Sequence, residues 1–430
     1  MNEKIMNSKF MGTLQKWAAY IQKNDILMSI TSGFQATLPL LIIGAVSQLV
    51  ANFPIEAWKT FVADHGLKAI LMMPNQMTMG VLALYATFFI VQKLAKKKGN
   101  DPAQVGVMAM VGLLILNGTV TLENVTALDF GYLGAKGLFT GIFVALLTNA
   151  IFSFFKKHKL YIRLPEEVPD QVSTVFASLL QAIASTIVFA VIAGIFAKTE
   201  YQTINALIYK FLQTPIQNIA GSYPGLMVFV FVSQLLWFFG IHGTQVTGAI
   251  WKPIYIAMGA ENLAALSAGV SIWELPNILN MTFWGAFITL GGAGCAVGLN
   301  MLMAFRAKST QLKTIGRVSL PTSLLNINEP LLFGTPIIMN PVMAIPFIFT
   351  PLINATIAYF LTYAHIIPRM NGVQPVLGIP IIVRGILGGS WIFGIVCVAL
   401  LVLDTLIYYP FFKAMDHQMV KEEEENKNEQ

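Results

Sequence analysis

The sequence is poor in charge. Only 11% of its 430 residues are Asp, Glu, Lys or Arg, where an ordinary globular domain carries roughly 25%. A soluble fold of this length would need polar side chains to cover its surface, and the chain lacks them. Cysteine is scarce too. Cys295 and Cys397 both fall in apolar stretches, which excludes a disulfide framework and reads as packing. There is no G-x-x-x-x-G-K-[ST] loop, so nucleotide binding through a P-loop is excluded. No His/Cys group has metal-ligand spacing, and neither metal nor cofactor is expected. The regular arginine ladder of a voltage sensor is missing as well. The start, from Met1 to Lys23, holds no apolar core followed by a cleavage site, so no removable signal peptide is expected.

What is present is apolar. Hydrophobic residues make up 56% of the chain, the mean hydropathy is +0.67, and the runs are long enough to cross a bilayer. This predicts an all-α polytopic membrane protein. The net charge of +6 does not point to nucleic acid, because Lys and Arg sit in short clusters between apolar runs, as topology signals do.

The first segment, 1–24, places Phe10, Leu14, Trp17 and Ile21 on one helical face and suits an interfacial helix. Spans are expected near 26–53 (interrupted at Pro39), 77–91, 105–121, 138–155 and 175–196. Five more are expected near 226–239, 246–258, 283–305, 341–363 and 386–412. Three basic clusters orient them: Lys93 to Lys98, Lys156 to Arg163, and Arg306 to Arg317. About ten spans, with both ends cytoplasmic, put every cluster on one side. The half-polar stretch 198–225 reads as a connector between a transmembrane half at 25–197 and a second at 226–412. The polar end, 413–430, is expected as a disordered cytoplasmic tail.

Two intervals break the pattern. Residues 259–281 mix Glu261, Asn262, Glu274, Pro276 and Asn277 with apolar residues, and 319–340 hold Asn326, Asn328, Glu329, Pro330 and Pro336. Irregular backbone at membrane depth survives only beside protein or a water-filled cavity, so both read as re-entrant hairpins and point to a transport site. Glu329 is the sharpest candidate, since an intramembrane carboxylate is costly unless it pairs or faces a cavity. Asn326 and Asn328 beside it are groups that sugar hydroxyls need. His242 follows in Gly240-Ile241-His242-Gly243-Thr244-Gln245, with Gln245 and Lys252 near. Arg384, before the last span, is a further cavity candidate. His365 reads as interfacial, Asp404 needs a partner, and Gly294 with Gly298 reads as close helix packing.

Gly240-Ile241-His242-Gly243 after Trp237-Phe238-Phe239, Asn326-Ile327-Asn328-Glu329-Pro330 and Gly378-Ile379-Pro380-Ile381 closely resemble one family. Leu164-Pro165-Glu166-Glu167-Val168-Pro169 and Tyr408-Tyr409-Pro410-Phe411-Phe412-Lys413 are similar to its motifs too. It is the lactose/cellobiose/diacetylchitobiose family of EIIC membrane subunits of the bacterial phosphoenolpyruvate-dependent sugar phosphotransferase system. The resemblance implies ten-span homodimers in the bacterial inner membrane, dimerised by the N-terminal half, with the sugar site in the C-terminal half. It implies a disaccharide, β-linked, phosphorylated by a phosphocysteine on a partner EIIB chain fed by upstream phosphotransferase proteins. It places the family's site glutamate at Glu329 and its histidine at His242. One tract departs: the family's Pro-Trp-Thr-Thr-Pro is replaced by Val376-Leu377-Gly378-Ile379-Pro380-Ile381-Ile382-Val383-Arg384-Gly385, without an aromatic residue. Arg384 there would suit a polar or acidic sugar. On the residues alone, an ion-coupled carrier and a non-transporting sugar sensor stay open.

Overall fold

The computed structural model describes residues 9–51, 56–122, 125–162, 165, 168, 170–335, 337–373 and 378–428. Most of the 164–169 motif therefore lies outside the described residues, as do Arg163, Pro336, Val376 and Leu377. The chain divides into two compact units, 23–218 and 219–430 with the N-terminal helix. The division in sequence falls within the stretch read as a connector.

The first helix, α1 (Lys9–Lys23), leaves Trp17 exposed and buries Ile21. In the first unit, α2 (Asp25–Ala36) starts at Asn24, whose side-chain oxygen accepts from the backbone N–H of Ile26 and Leu27, each at 3.0 Å. It stops at Thr37, and α3 (Leu38–Ala51) restarts with Pro39 in its first turn, where a missing N–H has no cost. Then come α4 (Lys68–Thr78), α5 (Leu82–Lys98), α6 (Pro102–Asn117), α7 (Leu138–Lys157) and α8 (Asp170–Phe196). Lys96, Lys97 and Lys98 end α5, where positive charge meets the negative end of the helix dipole. Lys98 reaches Asp25 at 2.8 Å and so ties α5 to the start of α2. Between α6 and α7 a small antiparallel hairpin, β1 (Val120–Leu122) and β2 (Val125–Ala127), pairs Val120 with Ala127.

The second unit holds α9 (Tyr223–Phe238) and α10 (Gly243–Ser267). A broken helix follows, 281–295, bent by 51° from α11 (Val297–Arg306). Next are α12 (Thr310–Leu324), α13 (Glu329–Gly334), α14 (Pro341–Tyr363), α15 (Ile381–Ile386) and α16 (Trp391–Asn428). Trp237, Leu299, Met303, Phe347, Tyr408 and Phe412 share one core. Inside a bilayer such cores are held by close packing more than by water exclusion. Gly298 shows it: a Cβ there would lie 2.7 Å from the Thr405 backbone nitrogen, so α11 and α16 touch. Gly294 is not on that helix but in a turn, with φ +73°.

Among the described residues, six helices are long and apolar enough to cross a membrane, or up to eight if each bent pair is one span. About ten were expected; α6 is apolar but shorter.

The polar end corrects an expectation. Residues 413–428 are not disordered but continue α16. Asp416 accepts from the Lys308 and Ser309 N–H at 3.0 Å, and Glu423 accepts from the Thr310 N–H at 3.1 Å and the Gln311 N–H at 3.0 Å. Seven residues apart, the two carboxylates lie on one helical face and satisfy the free N–H groups that open α12.

Candidate functional site

The two irregular intervals are held by asparagines. In 268–280 the Asn262 amide donates to the carbonyls of Asn277 and Met370, both at 2.8 Å, and Asn280 donates to Met370 at 3.0 Å. Backbone that would be unsatisfied at membrane depth is thus paired by side chains.

Around His242 the chain is tightly constrained. After Phe239, Gly240 turns with φ +77°. A Cβ on Gly243 would lie 1.8 Å from the Ser233 carbonyl oxygen, so only glycine lets α10 begin that close to α9. His242 caps α10, its Nδ1 accepting the Gln245 N–H at 3.3 Å. An accepting Nδ1 leaves the proton of the neutral ring on Nε2. The ring packs on Trp237 with centroids 4.2 Å apart, and Trp237 Nε1 donates to the Thr244 hydroxyl at 3.0 Å. The rest of His242 is exposed.

Lys252 belongs to the same place. Its stem lies over Gly248, and its ammonium donates to the Gln245 side-chain oxygen at 3.5 Å. The residue is 9% exposed and pairs with no acid among the described residues.

Glu329 opens α13 with Pro330 behind it. Its carboxylate is exposed and takes no hydrogen bond from a described residue. A first-turn carboxylate is favoured by the helix dipole, so the charge is supported while its oxygens stay unused.

Asn326 and Asn328 are spent otherwise. Asn326, with φ +64°, accepts the Gly291 N–H at 3.0 Å and donates to the Ile379 carbonyl at 3.2 Å. Asn328 accepts the Ala293 N–H at 3.2 Å and donates to the Ala293 carbonyl at 2.7 Å. Gly292 has φ +101°, and a Cβ there would lie 2.2 Å from Asn328 Cγ. The asparagines therefore clip the loop that breaks the 281–306 helix and tie it to the segment leading into α15.

Arg384 lies on α15 against that broken helix. A Cβ on Gly285 would come within 2.5 Å of its Nη2. Its Nε is buried without a hydrogen-bond partner, and no described carboxylate pairs with it. Beside Gly285, Trp284 stacks on Trp251 with centroids 3.8 Å apart. This aromatic pair was not singled out from the sequence, since its members lie 33 positions apart. Asp404 is fully buried and accepts from Asn354 at 3.1 Å, and His365 is exposed at the end of α14.

The model of the phosphotransferase system EIIC family matches residues 31–351. The lichenan permease IIC component of Bacillus subtilis (strain 168) is 30% identical over 414 residues, 92% of this chain and 90% of that protein. The cellobiose-specific EIIC component of Geobacillus stearothermophilus is 30% identical over 423 residues, 95% of this chain and 93% of that one. The crystal structure of the transporter ChbC, the IIC component of the N,N'-diacetylchitobiose-specific phosphotransferase system, matches with a TM-score of 0.89. It is 29% identical, covering 98% of this chain and 99% of that chain. Relatedness over nearly the whole length and the shared fold agree: this chain is a multi-pass membrane protein that belongs to the EIIC family of the phosphotransferase system.

Proposed function

We propose that this sugar-translocating EIIC subunit carries a β-linked disaccharide inward across the bacterial cell membrane for phosphorylation by a phosphocysteine on EIIB. The observation that carries the reading is the Glu329 carboxylate, exposed at the start of α13 and taking no hydrogen bond from a described residue, on the loop that Asn326 and Asn328 clip. Phosphoryl transfer needs an acceptor hydroxyl held in line with the donor and a group to take its proton. Glu329 accepts a hydrogen bond from that hydroxyl. As the bond from cysteine sulfur to phosphorus breaks and the new oxygen–phosphorus bond forms, Glu329 takes the proton. His242 orients the same sugar through its Nε2–H, Gln245 and Arg384 line the sugar, and Asn326 with Asn328 hold the loop beside it.

The partner EIIB is a separate chain, with upstream phosphotransferase proteins behind it. The reading is supported by the burial of both Cys295 and Cys397, which leaves neither free to carry the phosphoryl group. A lactose-specific EIICB component of Staphylococcus aureus (strain COL), 29% identical over 440 residues, covers 98% of this chain and 75% of that protein. Its name, EIICB, joins the two components in one protein. The subunit works as a homodimer assembled through 25–197, with both termini cytoplasmic; the three basic clusters support that orientation.

The test is uptake of labelled β-disaccharides into vesicles with and without phosphorylated EIIB. A phosphorylated internal product that requires EIIB bears the reading out. Accumulation of unmodified sugar, driven by a proton gradient and indifferent to EIIB, contradicts it.

A further inference from the structure

Arg384 is a poorly compensated charge of the second unit. Its Nε is buried with no acceptor, its guanidinium meets no described acid, and it lies over the bare Gly285. A cation without a partner in an apolar membrane protein is rare and points to a ligand pathway. It is also not remote from Glu329. Asn326, three residues before Glu329, hydrogen-bonds Ile379, which lies just before α15 and Arg384. Lys252 adds a second cation whose only described partner is the neutral Gln245 oxygen. Glu329, exposed at the start of α13, pairs with neither Arg384 nor Lys252.

We infer that Arg384 selects the substrate, and that the sugar it selects carries a carboxylate on the sugar unit remote from the phosphoryl acceptor. The inference rests on the permease reading above. Neutral hydroxyls would occupy the guanidinium donors but leave its charge unbalanced. A carboxylate meets both needs, because it matches the planar fork with two parallel hydrogen bonds. The acid belongs on the far sugar unit for two reasons: the acceptor hydroxyl must stay free, and an acid beside Glu329 would be repelled.

The experiment measures equilibrium binding to the full-length protein in lipid nanodiscs without EIIB. The probes are β-disaccharides offered in matched forms, each as its alditol and as its aldonate; cellobiitol and cellobionate are the first pair. The two differ only in a hydroxymethyl against a carboxylate. The aldonate is expected to bind about ten- to a hundred-fold tighter, the range of a charge-assisted hydrogen bond. Arg384→Gln brings the ratio to about one, while Arg384→Lys, a charge without the fork, keeps part of it. Thermal unfolding of each variant checks that it is folded.

Equal affinities across the panel, or an aldonate preference that survives Arg384→Gln, overturn the inference. So does a variant that loses EIIB-dependent phosphorylation with its ratio unchanged, which would assign Arg384 to the phosphoryl group. Vesicle assays run alongside separate the two readings. EIIB-dependent phosphorylation of neutral disaccharides without aldonate preference keeps the permease and sinks the acid. Aldonate preference without any EIIB-dependent product does the reverse.

Discussion

The side chain of Asn328 makes a two-way hydrogen bond with the backbone of Ala293, 35 positions away in the chain, donating to its carbonyl at 2.7 Å and accepting its N–H at 3.2 Å. This is the arrangement of a sheet ladder, formed by one amide where a helix is broken. It makes Asn328, 3% exposed, a structural neighbour of Glu329 more than a ligand in its own right.

Asn328→Ala leaves two buried backbone groups of Ala293 without partners, at about 1–3 kcal/mol for each. The thermal unfolding midpoint is expected to fall, and sugar binding with it. Asn328→Asp keeps an acceptor for the N–H but faces the carbonyl with a second oxygen, so it too is expected to melt early. A midpoint equal to the wild type in both variants would contradict the assignment.

His242 performs two tasks that substitution can separate. Asn at position 242 can still cap α10, since asparagine is among the best N-cap residues, but it cannot place a donor where Nε2 lies. His242→Asn is therefore expected to leave thermal stability within about 1 kcal/mol of the wild type and to weaken sugar binding by about ten-fold. His242→Ala is expected to lose both. Equal stability losses in the two variants would remove the capping role.

Gly243→Ala tests the contact of α9 with α10. Its methyl would overlap the Ser233 carbonyl, and overpacking of this kind costs roughly 1–3 kcal/mol. The expected outcome is reduced expression and a lower unfolding midpoint. Transport should fall with them, because the same backbone carries His242. Wild-type stability would show that the helices can part without loss.

The end of α16 makes a prediction about α12. Replacing Asp416 with Asn and Glu423 with Gln weakens the charge-assisted bonds to the N–H groups of residues 308–311. Removing such a cap costs about 0.5–2 kcal/mol. Hydrogen exchange at Thr310 and Gln311 should accelerate by roughly the corresponding two- to thirty-fold. Unchanged exchange would mean that the tail does not hold this helix.

Much of the fold was legible because a bilayer leaves few options. The apolar runs marked the helices, Pro39 marked the restart of α3, and the two polar intervals marked backbone that had to be paired by protein. Glu329 and His242 stood out for the same reason, as polar groups with no local explanation. What stayed hidden were partners distant in sequence. Asn326 and Asn328 were read as free for sugar, and nothing nearby in the chain announced Gly291, Ala293 or Ile379. The stacked Trp251 and Trp284 come from separate helical segments in the same way. The tail was misread from composition, although Asp416 and Glu423, seven apart on one face, were a usable sign that its acids had a helix to serve.

The most direct test of the whole account is Glu329→Gln in vesicles supplied with phosphorylated EIIB, with sugar binding measured on the same protein. The side chain keeps its shape and its place at the start of α13 but can no longer take a proton. Phosphorylated product is expected to fall at least a hundred-fold, the usual scale of a positioned proton acceptor, while sugar binding changes by less than about ten-fold. Full phosphorylation with unchanged binding would remove Glu329 from the chemistry and contradict the account.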